Sequence, residues 1–133
     1  MQNLLVISIL GENRQGVLKT ITRSCLDCNC SIAESRMSLF EDRLSLTLLI
    51  GGTWDAIAKI ETQLNKLEDE LNLTITSQRT DGKYNKTKDK LPYTVEIISV
   101  DRPGIIDHML HFFSMQGIGI EEMTSSNYSC KRN

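Results

Sequence analysis

The chain has 133 residues, 40% of them apolar and 24% charged, with fifteen basic against seventeen acidic side chains. That is the length of one ordinary domain or two small ones, and the balance of a soluble globular protein rather than a disordered or membrane-embedded one. A net charge of −2 and a pI near 5.7 have the wrong sign for a chain whose main task is gripping phosphate backbones, so direct nucleic-acid binding is not expected.

Met1-Gln2-Asn3 carries no basic region, and the apolar run behind it ends in Gly11-Glu12-Asn13-Arg14 instead of a small-residue cleavage site. This predicts a cytoplasmic protein without a signal peptide. No apolar run approaches the roughly 20 residues of a bilayer helix, so no membrane association is expected. Thiols stay reduced in the cytoplasm, which argues against a disulfide framework for the four cysteines and makes the sequons at Asn72, Asn85 and Asn127 chance matches.

In chain order, Leu4 to Leu10 is an apolar run mixed with β-branched residues and too short for a core helix, which predicts a buried strand. After Gly16 the period changes: Val17, Leu18, Ile21, Cys25 and Cys28 recur every three or four positions, as on a helix with one buried stripe. Ser31 to Phe40 reads as a second strand, and the turn Glu41-Asp42-Arg43 leads into Leu44 to Leu48, which alternates with period two. Gly51-Gly52 ends that strand, Thr53 is suited to cap the next helix, and Ile57, Ile60, Leu64, Leu67 and Leu71 mark its stripe. Asn72 to Gln78 closes the unit as a strand. The order strand, helix, strand, strand, helix, strand predicts a ferredoxin-like α+β fold over residues 1–78: a four-stranded antiparallel sheet with both helices on one face.

Residues 79–92, with Lys83, Lys86, Lys88 and Lys90 beside Asp81, Asp89, Gly82 and Pro92, read as a solvated linker. Sliding the chain by 88 residues then aligns Val6 to Cys30 with Thr94 to Ile118 without a gap. Ile9-Leu10 fall on Ile97-Ile98, and Asn13-Arg14-Gln15-Gly16-Val17-Leu18 on Asp101-Arg102-Pro103-Gly104-Ile105-Ile106. Two copies of one structural unit follow. The second copy, residues 93–133, offers a strand at Tyr93 to Val100, a helix with Ile105, Ile106, Met109, Leu110 and Phe113 on its stripe, and a further extended segment. A βαβ half-unit of this kind leaves strand edges unpaired and an apolar face uncovered. Three arrangements would meet that need: completion by another chain, a non-standard packing on the first copy, or origin in a longer protein, with the third combined with association favoured.

The stretch Cys25-Leu26-Asp27-Cys28-Asn29-Cys30 has the density of a metal site, but under the repeat Cys25 falls on Phe113, Cys28 on Gln116 and Cys30 on Ile118. Large apolar groups at two of three equivalent positions point to burial at a helix end, where cysteine acts as a small hydrophobe. His108 and His111 are three apart with Asp107 nearby and read as a solvated polar face, since nothing completes a coordination set. No metal or other cofactor is expected.

The two copies agree most closely in the turn between strand and helix, Asn13-Arg14-Gln15-Gly16 and Asp101-Arg102-Pro103-Gly104. One reading is a plain helix start, with Asn13 and Asp101 as caps and Pro103 in a first turn. That reading does not require an arginine in both copies, nor a glycine where the first free amides point outward. Such amides at a positive helix end suit an anion of carboxylate size.

The turn at Asp101 to Ile105, with its flanking strand and helix and the order of elements, resembles ACT domains, modules that often bind amino acids. The stretches ILGENRQGVLKTITRSCLDCNCSIAESRMSLF, GGTWDAIAKIE and LNLTITSQRT are similar to the glycine cleavage system transcriptional repressor family. The resemblance covers the first copy fully and the second in part. Asn13 stands where the pattern has Asp, and Gln15 where it has Pro. What the resemblance implies is a dimeric or otherwise homo-oligomeric co-regulator that senses glycine or another small amino acid and acts through a DNA-binding activator protein. The ligand carboxylate would then meet the amides of Gln15, Gly16 and Val17, or of Gly104 and Ile105. Asn13 and Asp101 would take the ammonium, and Arg14 and Arg102 stand in the same turns. Proline lacks an amide hydrogen, so the first copy is expected to be the better anion site. Two alternatives stay open: a regulatory module of an amino-acid or folate-linked enzyme, and a ligand-free dimerisation module. Independent catalysis is not expected, because no nucleophile motif, phosphate loop or carboxylate pair can be assembled.

Overall fold

The computed structural model describes residues 3–83, 91–98 and 103–126. The first apolar run becomes strand β1 (Asn3–Glu12), whose odd residues Leu5, Ile7 and Ile9 are buried. Their even neighbours are not: Val6 is 37% and Leu10 50% exposed. The expected buried strand is thus buried on one face. An antiparallel sheet needs cover on one face only, and helices α1 (Val17–Asp27) and α2 (Trp54–Leu71) draw on a single core.

Strand β2 (Ser31–Phe40) and strand β3 (Arg43–Gly52) form a hairpin across the Glu41-Asp42 turn, where Glu41 takes a left-handed φ of 56°. One irregularity interrupts their register between Ile32 and Glu34. Leu44, Leu46, Leu48 and Ile50 of β3 are buried, opposite the buried residues of β1: Ile7 pairs with Leu48 and Ile9 with Leu46. Strand β4 (Leu73–Thr80) pairs antiparallel with the other edge of β1, and the sheet order is β2-β3-β1-β4. That is the ferredoxin-like arrangement, with β4 running two residues beyond the expected Gln78 and Asn72 serving as the left-handed cap of α2.

Helix α2 starts as its sequence requires. Thr53 is extended, and its hydroxyl accepts a hydrogen bond from the Ala56 amide at 3.2 Å, with Asp55 in the first turn. Ile57, Ile60, Leu64 and Leu67 then meet Val17, Ile21 and Cys25 of α1 in the core. On α1 the buried stripe is narrower than its periodicity suggests, since Leu18 lies 37% exposed and Cys28 follows the last helical residue.

The chain divides into two units, Met1–Lys88 and Asp89–Asn133. In the second, the helix appears as α3 (Ile105–Met115). The segments 91–98 and 118–126 on either side of it form no strand. A strand is held by ladder hydrogen bonds to a neighbour, and among the described residues of this unit none supplies them. Ser99, Val100 and the residues beyond Ser126 lie outside the described residues, as does half of the lysine-rich linker, residues 84–90.

Candidate functional site

The glycine that ends the repeated turn has the same backbone in both units. Gly16 (φ 88°, ψ −9°) and Gly104 (φ 83°, ψ 2°) are left-handed and stand immediately before α1 and α3. Their carbonyls accept the amides of Thr20 and His108 at 3.0 and 2.9 Å, closing the first helical turn. A Cβ on either glycine would meet no atom within 4 Å, so the glycine answers to torsion and not to space.

The helix ends repeat as well. At the end of α1, Asn29 is left-handed, its amide bonds Leu26 at 2.9 Å, and the Cys30 amide bonds Cys25 at 3.0 Å. At the end of α3, Gly117 takes the place of Asn29, bonding Ser114 at 3.1 Å, while Ile118 bonds Phe113 at 2.9 Å. Both are Schellman motifs, in which an apolar contact joins the third-last helical residue to the second residue past the cap. Those two positions are Cys25 and Cys30 in one unit and Phe113 and Ile118 in the other. Cys25 and Cys30 are buried in the core, and Cys30 Sγ lies 3.6 Å from the Ala56 carbonyl. Burial, with the neighbouring Cys30 and Cys28 thiols adding to it, pushes the Cys25 thiol up to about 11. Burial likewise raises Cys30, with Cys28 contributing. Such thiols stay protonated and are poor ligands and poor nucleophiles.

Around the first turn the structure separates what the sequence ran together. Asn13 does not cap α1: no side chain does, and Gly16 stands at the cap position. The Asn13 amide instead donates to the Asp42 carbonyl at 3.0 Å, tying the turn to the β2–β3 hairpin. The capping role fails because Asn13 stands three residues ahead of the residue whose carbonyl closes the first helical turn. Arg14 donates from its guanidinium to the carbonyl of Leu71 at the end of α2. The Val17 amide bonds the Arg14 carbonyl at 3.3 Å. Among the described residues, the Gln15 and Gly16 amides donate to no backbone carbonyl, and both residues are exposed.

At this helix start without a side-chain cap, the Gln15 and Gly16 amides join the unpaired amides of the first helical turn. No acidic residue occupies the first turn of α1, whereas α3 carries Asp107 there. A carboxylate in the first turn competes with any anion for the positive helix end, and α1 carries no such competitor. In the second turn Gly104 and Ile105 are described, Pro103 offers no amide hydrogen, and Asp101 and Arg102 lie outside the described residues. The two carbonyl contacts, to Asp42 and Leu71, were invisible in sequence because their partners lie far along the chain and carry no side-chain signature.

The ACT domain family matches residues 3–78. The chain belongs to the ACT domain family. It is 32% identical over 126 residues, 93% of its length, to the glycine cleavage system transcriptional repressor of Escherichia coli. It spans 65% of the length of that relative. The crystal structure of a protein described as a glycine cleavage system transcriptional repressor superposes with a TM-score of 0.71 at 24% identity, over 93% of this chain and 72% of the other. An ACT domain protein from Streptococcus pneumoniae gives a TM-score of 0.52 at 10% identity, over 58% of this chain and 89% of that one. Both structural likenesses concern the fold. Among the described residues no helix is long and apolar enough to cross a membrane.

Proposed function

We propose that this chain is an amino-acid-sensing regulator, a glycine-responsive co-repressor of glycine cleavage genes that acts through a DNA-binding activator protein and not through DNA. The observation that carries the reading is the pair of amides at Gln15 and Gly16 that meet no backbone carbonyl, ahead of a helix with no side-chain cap and no acid in its first turn. These donors suit the carboxylate of a small amino acid. The exposed side chain of Asn13 is within the same turn and offers an amide oxygen to the ammonium. Kinship with the Escherichia coli repressor supplies glycine as the first ligand to try. The acidic balance of the chain supports a protein partner over a nucleic-acid one.

Calorimetric titration with glycine, serine and alanine tests the sensing role. Saturable heat with glycine that disappears in Gly16→Ala supports it, and absence of heat with all three removes it. Gel-shift assays on glycine cleavage promoter DNA test the mode of action: the chain should shift DNA only when the activator is present. Self-association without any ligand effect would leave the dimerisation reading in place of sensing.

A further inference from the structure

The three cysteines around the end of α1 differ in access. Cys25 and Cys30 are buried, while Cys28 is half-buried at the margin of the core. Cys25 and Cys28 also close one helical turn. The Cys28 amide bonds the carbonyls of Ser24 and Cys25, each at 3.2 Å, and the residues between the two cysteines, Leu26 and Asp27, are helical. Helical rise and radius then place the two Cα atoms about 5 Å apart. That falls inside the roughly 4.4–6.8 Å over which a disulfide closes without moving the backbone.

Cys30 is the competing partner and is placed less well. Its thiol is turned to the Ala56 carbonyl on α2 at 3.6 Å and lies 3.9 Å from the Cys28 carbonyl. Its amide is bound to the Cys25 carbonyl at 3.0 Å, and the left-handed Asn29 stands between it and Cys28. A bridge from Cys28 to Cys30 would enclose that single left-handed residue, whereas one to Cys25 spans a helical turn of suitable pitch.

We propose that Cys28 is a peroxide-reactive thiol and Cys25 its resolving partner, the pair closing a reversible disulfide at the end of α1. A hydroperoxide reaches the half-buried Cys28 Sγ and transfers its terminal oxygen. The O–O bond breaks, Cys28 becomes a sulfenic acid, and the hydroperoxide leaves as an alcohol, or as water from hydrogen peroxide. Cys25 Sγ then attacks the Cys28 sulfur. The S–S bond forms as the S–O bond breaks, and the hydroxyl leaves with the Cys25 proton as water. Two thiols give up two electrons and two protons in all, and the peroxide takes them. The tightly held Cys25 proton makes the closing step slow, yet a thiol one helical turn away needs no encounter and outpaces one from solution. It also makes the product durable, because a reductant attacking the accessible Cys28 sulfur must expel Cys25, a poor leaving group.

The test uses the full chain carrying Cys130→Ser, oxidised with hydrogen peroxide in slight excess, quenched with catalase, alkylated in urea and cut before Asp27. That cut separates Cys25 from Cys28 and Cys30. The expected result is an intact mass lower by about 2 Da before alkylation, two peptides joined through Cys25 and Cys28, and an alkylated Cys30. Cys28→Ser, at a half-buried position, should abolish the link, and Cys30→Ala should leave it. Dimedone present during oxidation should label Cys28 and lower the yield of the link. The same oxidation in urea should scatter the pairing over the three thiols, since the fold no longer holds the turn. A bridge between Cys28 and Cys30, oxidation of Cys28 to a sulfinic acid with Cys25 untouched, a Cys25 link that persists in Cys28→Ser, or three free thiols after treatment would each overturn the proposal.

Discussion

The guanidinium of Arg14 donates to the main-chain carbonyl of Leu71, 57 residues along the chain. The turn that opens α1 is thereby fastened to the carbonyl end of α2, where a cation is favoured by the helix dipole. The arginine makes a tie within the protein, and its loss should register without any ligand present.

Arg14→Ala is accordingly expected to cost about 1 kcal/mol, the worth of one partly exposed hydrogen bond. For a unit of this size that lowers Tm by roughly 4–8 °C. Arg14→Lys should recover part of the loss, and differential scanning calorimetry of the ligand-free protein decides.

Gly16 separates torsion from space. With φ at 88° and open space where a Cβ would stand, Gly16→Ala is expected to cost about 1–2 kcal/mol from left-handed strain alone. Gly16→Asn should cost less, since asparagine tolerates this region best among residues with a side chain. Urea denaturation of the two variants should rank them in that order with unchanged slopes.

The thiols should react in order of exposure. Cys28, half-buried, is expected to alkylate before Cys25 and Cys30, both buried. Mass spectrometry after brief iodoacetamide treatment checks this. The raised Cys25 thiol also has a pH signature. Its folded state holds the proton more tightly than the unfolded one, so its contribution to stability is complete below pH 9.0 and declines as pH rises towards about 11. Cys25→Ala should remove that alkaline decline at the cost of a small cavity.

Glu61 and Arg79 join helix α2 to strand β4 through a two-pronged contact of 2.6 and 3.1 Å, and the guanidinium also lies 5.6 Å from the centre of the Trp54 ring. The hydrogen bond from Arg79, helped by its charge, holds the Glu61 carboxyl below the usual glutamate range. A depressed carboxyl stabilises above its unfolded pKa and loses that contribution as pH falls through the folded one. Glu61→Gln should therefore lower Tm near neutrality and flatten its acid dependence, a comparison that needs only melting curves from pH 7 downward.

Thr53→Ala should cost about 1 kcal/mol through loss of the bond to the Ala56 amide. Thr53→Ser keeps the oxygen and should be close to neutral by circular dichroism melting.

Much of the fold was legible in the chain because helix and strand announce themselves through neighbours. The stripe Ile57, Ile60, Leu64 and Leu67 and the alternation of Leu44, Leu46 and Leu48 are local patterns, and both became the elements they describe. The 88-residue repeat was legible for the same reason, and it located Gly16 and Gly104 at equivalent left-handed positions and Cys25 and Cys30 at a helix end.

What local pattern could not reach was the destination of each donor and the cover over each face. Asn13 was legible as a cap, yet its amide serves the hairpin at Asp42; Val6 and Leu10 were legible as apolar, yet they lie on the uncovered side of the sheet. Segment 91–98 has the composition of a strand and forms none, because a ladder is a property of two segments and not of one. Sequence by itself determined the order of elements, their periods and the repeated turn, which depend on residues a few positions apart. Tertiary structure alone decided that the Arg14 guanidinium bonds the Leu71 carbonyl and the Asn13 amide the Asp42 carbonyl, since hydrogen-bond partners are chosen by proximity in space.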